Sequence, residues 1–170
     1  MNNIFLTGEK QVGKSTIINN IIDNFTGNIC GFKTLLETKE GRQFYFSGFN
    51  PMIDSIPKIY ICKKDNNDKL EGITEAFDDF GVKILEDSLN DSSDLIIMDE
   101  LGVFENQAYR FQKSVYKCLN SAIPVIGVIK AKPSLFLDTI RNRDDVTIVN
   151  VTKENREQAY LYLKSLLEQF

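Results

Sequence analysis

The 170-residue sequence predicts an α/β fold, with a mostly parallel, doubly wound sheet, helices on both faces and an added antiparallel β-hairpin. Two observations lead to this fold class. Solidly apolar runs, typical of strands buried between two helical layers, recur along the chain. Segments with apolar residues at helical spacing lie between most of these runs. Strands that alternate with helices form parallel sheets, and at this length we expect one domain over residues 1–170.

The first predicted strand and helix are joined by a loop that contains two glycines. Residues 3–7, NIFLT, form a short apolar run that ends at Gly8, which predicts a buried strand. Residues 14–25, KSTIINNIIDNF, repeat isoleucine at helical spacing, which predicts a helix with one apolar face. The chain therefore opens with a strand, a loop and an amphipathic helix.

Residues 29–64 interrupt the alternation of strands and helices. Two strand-like runs flank KEGR within residues 29–49, and KIYICKK at 58–64 is a third run. They predict an antiparallel hairpin, inserted at about residues 29–64, with an added strand at one edge of the sheet. The polar stretch KKDNNDKLEG at 63–72 predicts an exposed loop.

The rest of the sequence returns to alternating strands and helices. Predicted strands span residues 94–99, 123–129 and 146–151. Predicted helices span residues 73–90, 106–121, 134–142 and 153–170. Pro133 precedes the third of these helices, and Thr152 is the expected cap of the last one.

Composition restricts the compartment and the partners. The net charge of −4 and the pI near 5.0 provide no general attraction for nucleic acid or an anionic membrane, so we expect neither as a partner. No apolar run approaches the roughly 20 residues that span a bilayer, and the N-terminus lacks the features of a signal peptide. Three scattered cysteines argue against a disulfide framework or a zinc site. We expect a cytoplasmic monomer, and the sequence indicates no protein partner.

The sequence contains no histidine. This absence removes the commonest general base and metal ligand, and it excludes Ser-His and Cys-His nucleophile pairs. If the chain is an enzyme, its chemistry depends on carboxylates, lysine, arginine, hydroxyl groups and a bound ion.

The loop after the first strand has the pattern of a phosphate-binding loop. Residues 8–15, GEKQVGKS, match G-x-x-x-x-G-K-[ST], the Walker A motif, between a predicted strand and a predicted helix. Glycine lets backbone N–H groups turn inward around an oxyanion, and the helix N-terminus adds its positive dipole end. We expect Lys14 to hold the β- and γ-phosphates, Ser15 to hold Mg²⁺ and Thr16 to contact the α-phosphate. The residues expected to bind nucleotide are Gly8, Glu9, Lys10, Gln11, Val12, Gly13, Lys14, Ser15 and Thr16.

A second signature lies at the end of the next buried strand. DLIIMDE at 94–100 is an apolar strand that ends in Asp99 and is followed by Glu100, which is the Walker B pattern. The carboxyl ends of such strands converge on one crevice, so we expect Asp99 to organise Mg²⁺ near Ser15. Glu100 is the leading candidate to orient and polarise the attacking water. The predicted catalytic residues are Lys14, Asp99 and Glu100, although a polar strand end before an ordinary turn has the same letters.

Several segments together resemble a known family. In chain order they are GEKQVGKST, GFKTLLETKEGRQFYFSGF, LIIMDELGVFE, IPVIGVIKAKPS and RNRDDVTIVNVTKENRE. Over nearly its whole length the chain resembles the small nucleoside-triphosphatases of the THEP type, also called the cancer-related nucleoside-triphosphatase family. The most specific elements are the string DELGVFE at 99–105 and the Asn155-Arg156 pair near the start of the last helix.

The resemblance implies a P-loop NTPase fold with an added hairpin. It also implies Mg²⁺-dependent hydrolysis of nucleoside triphosphates to diphosphate and phosphate, with ATP, GTP, CTP and UTP as substrates. By the motif match, the family's phosphate and metal contacts fall on Lys14 and Ser15. Its metal organiser and its water activator fall on Asp99 and Glu100.

The charges near the phosphates depart from the family pattern. The family loop usually reads G-x-P-G-x-G-K-T-T, whereas Glu9 here adds a carboxylate that Lys10 could offset. The transition state of phosphoryl transfer needs positive charge beyond Lys14 and Mg²⁺. Candidates are Lys130, Lys132, Arg110, Arg141 and Arg143, with Arg141 and Arg143 slightly favoured, although a solvated surface charge is the commoner role for each.

Three other functions remain open. A GTP-binding switch shares the D-x-x-G string at 99–102, but no N-K-x-D follows residues 123–129 to recognise guanine. A small nucleoside or nucleotide kinase fits the length, and residues 130–145 could form its basic lid. A P-loop adaptor, like the molybdopterin-guanine-dinucleotide biosynthesis protein B group, would bind nucleotide in the service of another enzyme.

Overall fold

The computed structural model describes residues 3–38, 43–49, 58–89 and 92–167. Their strands are β1 (Asn3–Thr7), β2 (Ile29–Glu37), β3 (Gln43–Phe49), β4 (Ile59–Tyr60), β5 (Cys62–Lys64), β6 (Leu70–Gly72), β7 (Leu95–Leu101), β8 (Val125–Ile129) and β9 (Val146–Asn150). Their helices are α1 (Lys14–Asn24), α2 (Val82–Asp87), α3 (Tyr109–Leu119), α4 (Leu135–Arg141) and α5 (Arg156–Leu167). A π-helical turn, Ala76–Gly81, leads into α2.

Seven of these strands form one sheet in the spatial order β4-β3-β2-β7-β8-β1-β9. The five strands from β2 to β9 in that order are parallel, while β3 and β4 add antiparallel pairs at one edge. The predicted mostly parallel sheet with an added hairpin is therefore confirmed. Because β7 and β1 flank β8, the segments that follow these three strands emerge side by side at one edge of the sheet.

Two hydrophobic clusters cover the opposite faces of the sheet. On one face, α1 and α5 pack through buried side chains such as Ile17, Ile18 and Leu163. On the other face lie the π-helical turn, α2, α3 and α4, with an aromatic group that includes Phe32 and Phe111 at its centre. Each fully buried side chain of this size contributes roughly 1.5–3 kcal/mol to folding. Helices on both faces are therefore confirmed.

Most predicted elements are present with shorter bounds. The predicted strand at 3–7 is β1, and the predicted helix at 14–25 is α1, which ends at Asn24. The last helix begins at Arg156 rather than at residue 153, because the preceding residues form a capping turn. In that turn Thr152 Oγ1 accepts from the N–H of Asn155, and Asn155 Oδ1 accepts from the N–H of Thr152. Thr152 therefore caps the turn that leads into α5, while Asn155, whose carbonyl oxygen accepts from the N–H of Ala159, directly precedes the helix.

The predicted exposed loop at 63–72 is wrong in part, because β5 and β6 pair within it as a small antiparallel hairpin. Asp65 stabilises the turn of this hairpin: its Oδ1 accepts from the N–H groups of Asn67 and Lys69, both at 2.8 Å. The predicted strand at 58–64 includes β5, but β6 and its pairing with β5 were missed because the stretch around them is mostly polar. The predicted strand at 58–64 is divided at Ile61 into β4 and β5. Parts of the predicted hairpin insertion, residues 39–42 and 50–57, lie outside the described residues.

The length and apolar character of the described helices bear on whether any of them could span a membrane. None of them combines the length and the apolar character that crossing a bilayer requires.

Candidate functional site

A loop of residues 8–13, here called the glycine loop, joins β1 to α1. Three of its residues have positive φ angles: Gly8 at 135°, Gln11 at 63° and Gly13 at 105°. Turns of this kind allow successive backbone N–H groups to face one anion. A Cβ atom on Gly8 would lie 2.3 Å from the carbonyl oxygen of Val151, so the loop packs closely on the chain after β9. Only glycine both adopts this positive φ angle readily and lacks the Cβ atom that would clash with Val151.

The first turn of α1 presents Lys14, Ser15 and Thr16 beside the glycine loop. The ammonium group of Lys14 donates to the carbonyl oxygens of Gly8, at 3.0 Å, and Glu9, at 2.5 Å. The side chains of Ser15 and Thr16 are exposed, so both hydroxyl groups are accessible to a ligand. The lysine and the hydroxyls therefore border the concave side of the loop.

The other side chains of the glycine loop divide into two kinds. Glu9, Lys10 and Gln11 are exposed, whereas Val12 is buried in the hydrophobic cluster under α1. Val12 thus anchors the loop to the core. The side chain of Val12 is therefore not accessible to a ligand.

Strand β7 carries the acidic pair, Asp99 and Glu100, to the same edge of the sheet. Asp99 is only 6% exposed and lies in register with Lys33 of β2. Burial and the charge of Glu100 raise the pKa of Asp99 to about 6, while Lys33 and Lys14 act in the opposite direction. The peptide bond between Asp99 and Glu100 is cis.

The strand order places Lys14 and the acidic pair at the same end of neighbouring strands, and the direction of the electrostatic effects agrees with this placement. Burial lowers the pKa of Lys14, and the carboxylates of Glu100 and Asp99 oppose this by favouring the charged ammonium group. Such interactions are appreciable only at short range. The structure therefore brings together the three side chains that the sequence predicted as catalytic.

The backbone and the carboxylate of Glu100 are both held by neighbouring strands. Its N–H donates to the hydroxyl oxygen of Thr34 on β2 at 3.3 Å. Its carboxylate forms an ion pair with Lys130, and the distance from Nζ to Oε1 is 2.8 Å. The Glu100 side chain is 28% exposed, so solvent water reaches the carboxylate.

The oxygen donors at this position suit Mg²⁺. The carboxylate of Asp99 and the hydroxyl of Ser15 are hard ligands, and Mg²⁺ on nucleotides typically takes one or two carboxylates and completes its shell with phosphate and water. A divalent cation would also favour the charged form of Asp99, against the burial and the Glu100 charge that raise the pKa of Asp99. Among the described residues no three His, Cys, Asp or Glu side chains form a metal-binding group, so phosphate and water would have to supply most of the ligands.

The turn after β7 depends on Glu105. This side chain is 2% exposed, and its Oε1 accepts a hydrogen bond from the N–H of Gly102 at 2.5 Å. Burial raises the pKa of Glu105 to about 7, although hydrogen bonds from the backbone and the charge of Lys130 oppose the shift. The sequence marked Glu105 only as part of a family string. The structure shows that it holds the turn that follows Glu100.

Arg141 and Arg143, slightly favoured from the sequence as transition-state cations, have other partners. The guanidinium of Arg141 donates to the carbonyl oxygens of Lys130 and Lys132 and pairs with Asp138 at 2.6 Å. Arg143 pairs with Asp145 at 2.6 Å. The backbone of Asp145 bonds to Asn3, at the start of β1, so Arg143 lies at the sheet edge opposite the glycine loop. The structure therefore favours neither arginine as the cation that stabilises the transition state.

The other three candidates differ in their surroundings. Arg110, at the start of α3, forms an exposed ion pair with Asp79 at 3.2 Å. Lys132 is exposed in the loop before α4. Lys130 alone of the five forms an ion pair with a member of the acidic pair.

Arg156 is a site residue to which the sequence assigned no role. It begins α5 and lies against the glycine loop, because a Cβ atom on Gly13 would be 2.3 Å from its Cδ. The preceding Asn155 is fixed by Thr152 and by a hydrogen bond from its Nδ2 to the carbonyl oxygen of Asn150 at 2.9 Å. The Asn155-Arg156 pair was the available signal, but its position beside Gly13 depends on tertiary packing.

A cavity of about 480 Å³ lies away from this site. It is bordered by Ile21 and Phe25 near the end of α1, by Tyr160 and Leu167 of α5, and by Asp94 before β7. Because α1 starts at the glycine loop and runs away from it, the cavity lies near the amino-terminal ends of the parallel strands, opposite the candidate site. It is not part of the candidate site.

Known proteins resemble the chain along nearly its whole length. Residues 3–163 match a protein-family model described as NTPase. Nucleoside-triphosphatase THEP1 from Thermotoga maritima is 29% identical over an alignment of 181 positions, gaps included, which covers 97% of this chain and 95% of that protein. The human cancer-related nucleoside-triphosphatase is 28% identical, with 90% of each chain covered.

Two solved structures have a similar fold. The crystal structure of THEP1 from the hyperthermophile Aquifex aeolicus aligns over 99% of both chains, with a TM-score of 0.78 and 24% identity. The solution structure of a human cancer-related nucleoside triphosphatase aligns over 99% of this chain and 98% of that one, with a TM-score of 0.76 and 22% identity. At these identities the likeness concerns the fold alone.

Proposed function

This chain belongs to the NTPase family, and from that premise we propose that it hydrolyses nucleoside triphosphates to diphosphate and phosphate with Mg²⁺ as cofactor. The observation that carries the proposal is the convergence of Lys14, from the glycine loop, with Asp99 and Glu100 at the end of β7. Relatives that are named nucleoside-triphosphatases support the reaction class.

Binding begins with the phosphates. Backbone N–H groups of the glycine loop and the N-terminus of α1 surround an anion in this arrangement. The ammonium group of Lys14, which now donates to the carbonyl oxygens of Gly8 and Glu9, exchanges these partners for the β- and γ-phosphates. Ser15 and Asp99 would hold the metal ion, and Thr16 would contact the α-phosphate.

Hydrolysis then requires an activated water and stabilised negative charge. Bound Mg²⁺ supplies charge neutralisation on the phosphate oxygens. The carboxylate of Glu100 orients a water molecule toward the γ-phosphorus and accepts its proton as the new P–O bond forms. The bond from the γ-phosphorus to the oxygen that bridges to the β-phosphorus breaks, and the nucleoside diphosphate leaves. Lys14 remains on the terminal phosphate throughout this step.

We propose broad base specificity, covering ATP, GTP, CTP and UTP. After β8 the chain reads Lys130-Ala131-Lys132-Pro133, which contains no carboxylate to accept hydrogen bonds from guanine. This sequence also argues against a GTP-binding switch, because such proteins need a guanine-specific contact at this position. The proposed site binds the triphosphate strongly and discriminates only weakly between the four bases.

The arginines of residues 130–145 argue against a kinase. A kinase lid needs cationic side chains that reach a second substrate, whereas Arg141 is engaged by Asp138 and by backbone carbonyls. Arg143 is engaged by Asp145 and Asn120. Against a simple adaptor, Glu100 stands next to the metal carboxylate, where a binding protein would need no base.

A phosphate-release assay tests the proposal. We expect steady release from ATP, GTP, CTP and UTP in the presence of Mg²⁺ and without any acceptor. Lys14→Ala should abolish release, whereas Lys113→Ala, which removes an exposed lysine of α3, should leave it unchanged. Phosphoryl transfer only to an added nucleoside or nucleoside monophosphate would identify a kinase. Tight nucleotide binding without either reaction would identify an adaptor.

We also propose that the protein acts as a monomer in the cytoplasm. Cys30, Cys62 and Cys118 are free and buried, which suits a reducing compartment.

A further inference from the structure

Lys130 occupies the position between the two halves of the candidate site. It follows β8 directly, and β8 lies between β7, which carries the acidic pair, and β1, which leads into the glycine loop. Its side chain contacts the acidic half through the ion pair with Glu100, and the glycine loop follows the neighbouring strand on the other side. The sequence included Lys130 only as one of five candidate cations.

The backbone of Lys130 is fixed on both sides. Its N–H donates to the carbonyl oxygen of Leu101 at 2.9 Å, and its carbonyl oxygen accepts from the guanidinium of Arg141. The side chain passes Gly102, where a Cβ atom would lie 3.0 Å from its Cδ. Rings of Phe104 and Phe44 flank the ammonium group at 5.4 and 5.9 Å. These contacts direct the cation toward the site.

The ammonium group of Lys130 pairs with Glu100 at 2.8 Å, and the two side chains are only 27% and 28% exposed. The same cation is close enough to Lys14 to contribute to the lowering of the pKa of that lysine. Two lysines therefore converge beside two carboxylates. A terminal phosphate bound by Lys14 would be a stronger anionic partner for Lys130 than a single carboxylate is.

We propose that Lys130 is the second cation of the site: it pairs with Glu100 and exchanges this partner for the terminal phosphate when a nucleoside triphosphate binds. The exchange requires rotation of the flexible lysine stem only. It places positive charge on the γ-phosphate and releases the carboxylate of Glu100 to act on water. This inference rests on the proposed function, because it assigns a contact to the same substrate.

The test separates contact with the terminal phosphate from support of Glu100. It uses the Glu100→Gln background, in which residue 100 is neutral and triphosphate persists. Dissociation constants are measured for Mg²⁺·ATP and for ADP, with and without Lys130→Met. We expect Lys130→Met to weaken ATP binding about 10- to 100-fold and to leave ADP binding unchanged. Lys130→Arg should retain most of the ATP affinity.

Lys113→Met in the same background is the matched control, because it removes an equal charge from an exposed position on α3. Lys130→Gln repeats the test if the Met variant is poorly folded. An unchanged ratio of ATP to ADP affinity in a folded Lys130 variant would overturn the inference while leaving the proposed function intact. If the wild-type protein binds no triphosphate, the proposed function fails and the inference fails with it.

Discussion

At the scale of single residues, the site is dominated by charged groups held in partly buried positions. Lys14, Asp99 and Glu105 all have pKa values shifted toward the neutral form, and burial is the largest cause in each case. Charged side chains are costly to bury unless a partner compensates them. A magnesium–triphosphate complex brings both signs of charge, and it would compensate the buried charges of Lys14 and Asp99, which are the two of these three side chains that we propose bind it.

Glu105 provides a test of the energetic cost of burying a charged group, through the pH dependence of stability. Its pKa in the folded protein, about 7, lies above its ordinary value of 4.5, so the folded state binds this proton more tightly than the unfolded state does. The corresponding stability is fully present below about pH 4.5 and is lost as the pH rises through about 7. Replacement by glutamine removes this dependence and keeps an oxygen acceptor for the N–H of Gly102.

Chemical denaturation between pH 5 and pH 8 measures the effect. We expect the free energy of unfolding to fall more steeply with pH in the wild-type protein than in Glu105→Gln, with a difference of up to about 3 kcal/mol across this range. Glu75→Gln, at an exposed position before the π-helical turn, should follow the wild-type profile. Parallel profiles for the wild type and Glu105→Gln would show that Glu105 is not a buried, strongly shifted carboxyl.

Asp99→Asn separates two effects of this carboxylate: it destabilises the protein without nucleotide, and it binds the metal ion when nucleotide is present. Removing a buried carboxylate with a raised pKa should increase the stability of the protein without nucleotide at pH 8, by about 1–3 kcal/mol. The same substitution should abolish the stabilisation that Mg²⁺·nucleotide provides. Thermal denaturation with and without the ligand measures both effects. Equal stabilisation of the variant and the wild type by Mg²⁺·nucleotide would remove Asp99 from the metal site.

At the scale of secondary-structure elements, the sequence predicted those elements whose stabilising residues are close together in the chain. The glycine loop and α1 were predictable because Gly8, Gly13 and the isoleucine stripe act within one short stretch of chain. The hairpin of β5 and β6 was missed because a polar sequence carries no alternation between buried and exposed side chains. Its turn depends on Asp65, whose hydrogen bonds to Asn67 and Lys69 are a general property of turn aspartates.

The capping turn before α5 tests how an element positions a site residue. Asn155→Ala removes the hydrogen bonds to Thr152 and Asn150 and should cost about 1 kcal/mol of stability. Because Arg156 follows directly and lies against Gly13, we also expect nucleotide affinity to fall by about threefold to tenfold. Denaturation and equilibrium binding measure the two effects.

Asp65→Ala is the control for this substitution, because it removes turn hydrogen bonds of the same kind from the hairpin of β5 and β6. It should cost a similar amount of stability and leave nucleotide affinity unchanged. The same loss of affinity in both variants would mean that the affinity depends on general stability and not on the position of Arg156.

At the scale of the whole molecule, the site exists because three parallel strands end side by side. The order β7-β8-β1 places the acidic pair, Lys130 and the glycine loop at adjacent positions, although they are far apart in the sequence. The sequence predicted parallel strands that converge, but not which strands are neighbours, since pairing depends on long-range packing. The engagement of Arg141 by the carbonyl oxygens of Lys130 and Lys132 was equally beyond prediction.

Ligand binding should couple to the stability of the whole molecule. A ligand that binds only the folded state at 100 times its dissociation constant stabilises the protein by about 2.7 kcal/mol. We therefore expect a non-hydrolysable triphosphate with Mg²⁺ to raise the melting temperature, and the same nucleotide with EDTA to raise it much less. Equal shifts with Mg²⁺ and with EDTA would contradict a metal-dependent site.

The central claim is that the glycine loop and Asp99 bind the Mg²⁺·nucleotide while Glu100 activates the water for hydrolysis. Its most direct test compares Glu100→Gln with the wild-type protein for both Mg²⁺·ATP affinity and the rate of phosphate release. We predict an affinity within about threefold of the wild type and a turnover reduced by at least about 100-fold. Undiminished turnover, or loss of binding together with turnover, would contradict this division between the two parts of the site.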